Sequence, residues 1–600
     1  MKDFPVPVGW TTAAFPVFSP EAEHTEETLP AAPGLTDVAP EPSAFAPETQ
    51  PQNTEPQPQA QVTEPAGEEI QATDPTGGPA SLPDHEPEGE ALFSYVPTRS
   101  APNAAASQTL VIKPGRDYLN SLSSAVDSID YEMTVSERGM LHYAVSTEAG
   151  AGADWKVSLL QQYYVNGSGG ETALRLLNVL NVYAEDGKGS APNIGVLPGK
   201  YVLRVESGKK FTNTVFRLRP DFTPGTDYEM EYNDARTRYT EIYAGVPVKG
   251  SASVYDTGRD IDWFLLRTYA PGPVNLRFTH ATAEQLTTAF KVCLYTMDGV
   301  ELFGGNAVQN EPELVSGRIG LPAGAYFISV QSRVYTAGDY TLTVQSGSAA
   351  SELEPNDTPA AATPITAETP LCGALSARSG NADRDYYAFT LDSPGYVNVW
   401  LQNDESESDD ASYVRRLMLL DGDGRALYGD MQAEGGKELR SPGVGLAAGT
   451  YYICVNNDNL HLSSDTYLVG YAFTPSGGWE REYNGAPEAA TPISANVPVS
   501  GTLTDADGDF DTDYFTFTVT ENCAALLQLR HDILGGGNDI FSVSVLDSAL
   551  KPVGEAFISY ESSETASGSY RLAPGVYYVK VTAGKFSSSV RYYLQYSIEK

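Results

Sequence analysis

The sequence predicts an all-β chain built as tandem β-sandwich domains behind an N-terminal segment of a different character. Three observations lead there. Runs such as TDYFTFTV, SPGYVNVWL and GTYYICV place apolar or aromatic residues at every second position, the period of a half-buried strand. Clusters of Gly, Pro, Asn and Asp separate these runs, and no long stretch carries a helical period. One pattern returns at intervals of 123 and 128 residues, a spacing that suits one sandwich domain per copy. Usage agrees: 36 Tyr and 55 Gly against 7 Met favour strands and turns.

Residues 1–106 come first. They hold 19 of the 41 prolines and 17 acidic residues against two basic ones, Lys2 and Arg99. Such a stretch cannot bury enough apolar surface to offset chain entropy, so it reads as a disordered, acidic, Pro-rich spacer. Among its aromatics, Trp10, Phe15 and Phe18 read as an apolar cluster in that tail or as a docking motif. The N-terminus, MKDFPVPVGWTTAAFPVF, interrupts any apolar signal core with Pro5, Pro7 and Pro16. A removed leader, a start further upstream and another export route are all compatible with that. The formal net charge of −40 argues against nucleic acid, whose phosphates demand a basic face, and against an anionic membrane surface. No run of 18 apolar residues suggests a transmembrane helix.

The repeat then sets the domain plan. Three segments open alike: EMEYND at 229–234, ELEPND at 352–357 and EREYNG at 480–485. Counting from the first Glu, Gly250, Gly373 and Gly501 follow at +21. Asp260, Asp383 and Asp511 follow at +31, and Asp262, Asp385 and Asp513 at +33. A turn Gly and an aromatic strand close each copy, as in LPAGAYFISV, LAAGTYYICV and LAPGVYYVKV. A divergent copy precedes them: VDSIDYEMTV carries Asp127 and Asp130, and VLPGKYVLRV carries Gly199, but TLVIKPGRDYLNSLS stands where the acidic opening should be. The expected divisions are 1–106, 107–222, 226–347, 350–475 and 478–600. In the divergent copy the sandwich should be kept and the acidic site lost or altered.

The opening E-x-E-x-N-D, the Gly, the D-x-D-Y/W-F run and the L-x-x-G-x-Y strand together resemble the bacterial pre-peptidase C-terminal domain family. The resemblance covers 229–600 well and 107–220 weakly. It implies jelly-roll-like sandwiches of the kind attached to secreted peptidases and surface proteins. It also implies calcium at the acidic opening and the D-x-D region, as in the related collagen-binding domains of clostridial collagenases.

The residues support a cation on their own terms. In an extended segment i, i+2 and i+4 share a face, which aligns Glu229, Glu231 and Asn233. It likewise aligns Glu352, Glu354 and Asn356, and Glu480, Glu482 and Asn484. Asp234 and Asp357 complete two of the openings, where Gly485 stands in the third. Asp260 and Asp262 share parity with Phe264 and Leu266; Asp511 and Asp513 share it with Phe515 and Phe517. A carboxylate on a core-facing register needs compensation, and no Arg or Lys recurs to supply it. If the two segments meet, an oxygen-only cluster results, which suits Ca²⁺ and not zinc, which prefers His or Cys. The last copy replaces its missing Asp with the run DADGDFDTD, in which Asp509 joins Asp511 and Asp513. The competing reading is a strand start whose acids face water.

The remaining chemistry is sparse. Four Cys make no disulfide framework. Repeat alignment places Cys372 and Cys454 at solvent-facing positions, bridged to each other or free. There are six His, no HExxH and no G-x-S-x-G, so no enzyme is indicated. Acids repeated identically in tandem read as metal sites rather than as the two unlike acids of a glycosidase. Three functions stand: an extracellular or cell-surface array that binds or adheres to protein, peptide or polysaccharide; a calcium-rigidified stalk; and an accessory region of a secreted peptidase. Exposed tyrosines such as Tyr452 and Tyr578 are candidate contacts for the first.

Overall fold

The structure is a computed structural model that describes residues 108–599 except 148–151, 166–169, 253–259, 285–286, 334–337, 377–382, 404–414, 432–437, 458–465, 507–508, 532–540, 560–563 and 584–589. The spacer expected over 1–106 and its aromatic cluster lie outside the described residues. The regular structure of the described residues is almost entirely strand, arranged as four pairs of five-stranded sheets that repeat one topology.

The second sandwich serves as the pattern. One sheet runs Thr240–Ile242, Ile261–Thr268, Gly324–Ser332, Thr288–Thr296, Glu301–Val308. The other runs Val248–Ala252, Gly338–Ser346, Gly272–His280, Glu313–Val315, and Ile319–Leu321 also pairs with Gly272–His280. Consecutive strands Ile261–Thr268 and Gly272–His280 fall in opposite sheets, the crossing that makes a jelly-roll-like sandwich. All its pairings are antiparallel except that of Thr240–Ile242 with Ile261–Thr268.

Period-2 patterning explains which face is buried. In Thr512–Val519, Asp513, Phe515, Phe517 and Val519 point inward and alternate with more exposed residues. In Arg384–Leu391, Asp385, Tyr387, Phe389 and Leu391 do the same. A one-residue slip would send each set to solvent, so the register is tightly specified. Each sandwich closes on its own apolar core, with Trp155 and Phe216 in the first, Phe264 and Phe278 in the second, Val399 and Leu417 in the third, and Phe515 and Leu527 in the fourth. Full burial of such a side chain contributes about 1.5–3 kcal/mol, so the cores can hold a few costly polar groups.

The cysteines correct one expectation. Cys372 and Cys454 are buried, not solvent-facing, and they form no disulfide. They lie in different sheets, on Leu371–Ala374 and Gly449–Asn457. Cys454 does lie between inward-pointing neighbours, on the outer face. There Tyr386 and Asn456 cover it, the latter with Nδ2 3.9 Å from Sγ. Cys372 lies beside the segment leading into the third sandwich, its N–H donating to Ala350 O at 2.9 Å. Outward parity does not give exposure here, because long neighbouring side chains and the adjoining segment cover these positions.

Candidate metal centres

The acidic opening is an irregular segment, bent at or just after its second Glu, that is laced on both sides by backbone hydrogen bonds repeating in three copies. The first Glu donates its N–H to its own sandwich: Glu229 to Lys249 O at 2.7 Å, Glu352 to Cys372 O at 2.9 Å, Glu480 to Ser500 O at 2.9 Å. The second Glu donates to the preceding sandwich: Glu231 to Gly195 O at 3.0 Å, Glu354 to Gly320 O and Glu482 to Gly445 O at 2.8 Å. The Asn carbonyl accepts from the D-x-D strand, at Trp263 N (3.0 Å), Tyr386 N (3.1 Å) and Tyr514 N (3.0 Å). The peptide bond after the second Glu is cis in all three. With its backbone so fixed, the segment sends its i, i+2 and i+4 side chains into one buried place.

There the two acidic stretches meet. Glu229, Glu231 and Asp262 bring carboxylate oxygens within 4.8 Å of one another, as do Glu352, Glu354 and Asp385, and Glu480, Glu482 and Asp513. The second sandwich holds an overlapping group, Asp234, Asp260 and Asp262. These residues are 0–1% exposed, except Asp234 and Glu482, which keep partial exposure. Asn233, Asn356 and Asn484 are fully buried beside them.

The remaining predicted residues do other work. Asp383 accepts from Ser376 N at 2.5 Å and Arg384 N at 3.0 Å. Asp511 accepts from Thr504 N at 3.0 Å and Thr512 N at 2.8 Å. Both therefore close turns, and they and Asp357 stand outside the three-carboxylate groups. Asp509 belongs to a short ladder, Asp505–Ala506 with Asp509–Phe510, and its side chain lies outside the described residues.

The first Glu of each opening is a framework group. Glu229 accepts from Ser251 N (2.6 Å), Tyr340 OH (2.9 Å) and Asn233 Nδ2 (3.3 Å). Glu352 accepts from Ala374 N (2.8 Å), Tyr387 OH (2.8 Å) and Asn356 Nδ2 (3.4 Å). Glu480 accepts from Thr502 N (2.7 Å), Tyr592 OH (3.0 Å) and Asn484 Nδ2 (3.3 Å). The oxygens that find no hydrogen-bond donor are a different, recurring set. They are Oδ1 of Asn233, Asn356 and Asn484, Oδ1 of Asp262, Asp385 and Asp513, both oxygens of Glu231, and Oε1 of Glu482. A buried acceptor without a donor costs about 1–3 kcal/mol, and this arrangement spends that in the same place three times. Oxygen acceptors converging without donors are what a hard divalent cation requires.

A tyrosine missed at the level of sequence completes each centre. Tyr340 donates to Glu229 or to Asp262 Oδ2, which lies 2.6 Å away. Tyr592 stands in the same way between Glu480 and Asp513. In the third sandwich Tyr467 contacts Asp385, and Tyr387 adds a second hydroxyl 2.8 Å from that of Tyr467. One hydroxyl carries one proton and serves one carboxylate at a time. The Gly at +21 exists for this ring. A Cβ on Gly250 would lie 2.4 Å from Tyr340 OH, and one on Gly501 would lie 2.3 Å from Tyr592 OH.

The electrostatics follow from burial. Desolvation, then Asp260, pushes Glu229 up to about 8, and desolvation, then Glu354, pushes Glu352 up to about 8. Desolvation and neighbouring carboxylates likewise raise Glu231, Asp262, Asp385, Glu480 and Asp513. Without a cation this burial favours the protonated form of each group over the ionised one.

The first sandwich replaces the whole constellation. Strand register puts Ile129 where Asp262 stands, Phe216 where Tyr340 stands and Asn120 where Gly250 stands. Asp130 instead forms a two-point ion pair with Arg204, at 2.7 and 2.8 Å. Among the described residues, no acidic group of this kind occurs there. Carboxylate, tyrosine and glycine change together, so they serve the site and not the sandwich.

No known family model matches the chain, and no curated protein matches it. The pre-peptidase resemblance therefore rests on the motif residues alone. Solved structures with some likeness include the M60 catalytic domain with two CBM51 domains of Clostridium perfringens ZmpB. That match has 8% identity and TM-score 0.15, and covers 58% of this chain and 55% of that one. A CBM22 tandem of Paenibacillus barcinonensis Xyn10C matches at 12% identity and TM-score 0.13, covering 36% of this chain and 82% of that one. The ANX1 ectodomain of Arabidopsis thaliana matches at 8% identity and TM-score 0.14, covering 39% and 89%. The chain thus spans about half the length of the first. Scores this low carry no argument about function.

Proposed function

We propose that the chain is a non-catalytic, extracellular or cell-surface array of calcium-binding sandwich units, divided at 107–222, 226–347, 350–475 and 478–600, that binds or adheres to protein, peptide or polysaccharide. The observation that carries the calcium is the threefold set of buried oxygens without donors, at Asn233, Asn356 and Asn484 and at Asp262, Asp385 and Asp513. The second Glu of each opening and the second Asp of each D-x-D run, with the Asn oxygen, would hold the ion. The first Glu and the tyrosine would orient them. Ca²⁺ accepts 6–8 oxygens at about 2.3–2.6 Å, and the donor set contains no nitrogen or sulfur ligand that would favour zinc.

Weak binding sites repeated along one chain gain avidity, and the half-buried outer-face Tyr452 and Tyr578 are candidate contacts. A second reading, a calcium-rigidified stalk, is favoured by the hydrogen bonds that join each acidic opening to the preceding sandwich. An accessory region of a secreted peptidase remains compatible with the motif resemblance. Differential scanning calorimetry of the full chain tests the calcium. EDTA is expected to lower the transitions of the three acidic sandwiches and calcium chloride to restore them, because a ligand bound only by the folded state stabilises it by mass action. A melt indifferent to both contradicts the proposal.

A further inference from the structure

The same segment that presents the acidic side chains also joins one sandwich to the next. The carbonyl of Glu352 lies so close to Gly320 that a Cβ there would come within 1.8 Å of it. The corresponding distances are 1.8 Å from Gly195 to Glu229 O and 2.4 Å from Gly445 to Glu480 O. Each glycine is the middle residue of a three-residue strand of the preceding sandwich, Ile194–Val196, Ile319–Leu321 or Val444–Leu446. Its carbonyl receives the N–H of the second Glu, at 2.8–3.0 Å. Two residues whose side chains enter the acidic centre are thus held, by their backbones, against a neighbour. In the fourth sandwich Arg571 stands at the equivalent place on Tyr570–Leu572, and it is exposed. In each of the three sandwiches where an acidic opening lies on this position, the residue there is glycine.

A second link runs through the tyrosine strand. The residue before each buried tyrosine reaches across the same seam. Asn193 N donates to Asp339 Oδ1 at 2.8 Å, Arg318 N lies 3.4 Å from Thr466 Oγ1, and the Arg591 guanidinium lies 5.9 Å from the ring of Tyr396 in the third sandwich. Adjacent residues on one strand therefore touch the acidic centre and the neighbouring sandwich.

We infer that each centre is built jointly by two sandwiches: Gly195, Gly320 and Gly445 are positioning residues for the metal site of the sandwich that follows them, and metal binding and inter-sandwich docking are coupled. The inference rests on the calcium reading above. Because coupling between binding and docking is reciprocal, it has two faces. A seam that cannot close loses its ion, and an ion that binds tightens its seam.

Gly320→Ala in the full chain tests this, since a single methyl group meets backbone. Gly477→Ala is the control, because nothing lies within 4 Å of a Cβ there. Titration with calcium chloride by calorimetry should show one high-affinity site fewer in Gly320→Ala, or one site weakened at least tenfold, and no change in Gly477→Ala. Hydrogen exchange supplies the second readout without any substitution. Calcium should slow exchange at the Glu231, Glu354 and Glu482 amides at least tenfold. Calcium bound by the unmodified chain, with Gly320→Ala retaining every site at full affinity, overturns the coupling and leaves the calcium reading intact. Unchanged exchange at the three amides on calcium binding overturns it as well, even if Gly320→Ala fails to fold. No calcium bound by the unmodified chain overturns the calcium reading, and the coupling with it.

Discussion

Raising the pH of the calcium-free chain should destabilise it, in the opposite sense to ordinary acid denaturation. Glu229 and Glu352 are pushed from the usual 4.5 to about 8, chiefly by burial and next by a neighbouring carboxylate. Between those values the folded chain keeps protons that the unfolded chain has released. Stability then falls as pH rises, by about 1.4 kcal/mol per pH unit for each such group. The contribution is fully present below about 4.5 and gone above about 8. For units of this size 1 kcal/mol moves a melting temperature by roughly 3–5 °C, so each unit between pH 5.5 and 7.5 should lower the affected transitions by about 4 °C or more. Calcium should flatten the slope, because the ion replaces the protons and favours the ionised groups. Scanning calorimetry at pH 5.5, 6.5 and 7.5, in EDTA and in excess calcium chloride, reads both slopes. Stability in EDTA that rises across this window would refute the reasoning, since it would mean that these carboxylates are already ionised and compensated in the folded chain.

Two further outcomes follow from close packing and burial. Gly373→Ala should destabilise the third sandwich by about 1–3 kcal/mol and abolish its calcium response in calorimetry, because the added Cβ would lie 2.4 Å from Tyr387 OH and 2.7 Å from Glu352 Oε2; an unchanged transition and response would contradict the packing. A thiol reagent should modify no more than Cys523 rapidly in the folded chain and all four cysteines after unfolding. Cys293, Cys372 and Cys454 are buried, and burial raises the thiols of Cys293 and Cys454 and so holds back the reactive thiolate. Rapid modification of two or more cysteines in the folded chain would contradict their burial.

Much of this was legible in the residues. Alternation in TDYFTFTV fixes an inward face, and Asp513 lies on it with Phe515 and Phe517. The i, i+2, i+4 spacing does pick out Glu352, Glu354 and Asn356, which are buried together, although the cis bond after Glu354 means that regular strand alternation is not what joins them. Tyr340, Tyr467 and Tyr592 were not legible as site residues, since an inward tyrosine on a strand reads as ordinary core. Their signal was indirect: a glycine at +21 in every acidic copy, with no turn to explain it. Asp383 and Asp511 could not be told from ligands by spacing, because only the fold puts the Ser376 and Thr504 amides on them. The seam was harder still. Gly320 and Glu354 belong to different repeats, and within one repeat nothing distinguishes that glycine from a turn residue. Outward parity misled for Cys454 because the face it points to is covered by Tyr386 and Asn456.

Calorimetric titration of the EDTA-stripped full chain with calcium chloride counts the centres directly. At least three saturable sites, accompanied by proton release at pH 7, would match one cation for each acidic opening. Binding that does not saturate, or that releases no protons, would mean that these buried oxygens face one another without an ion to join them.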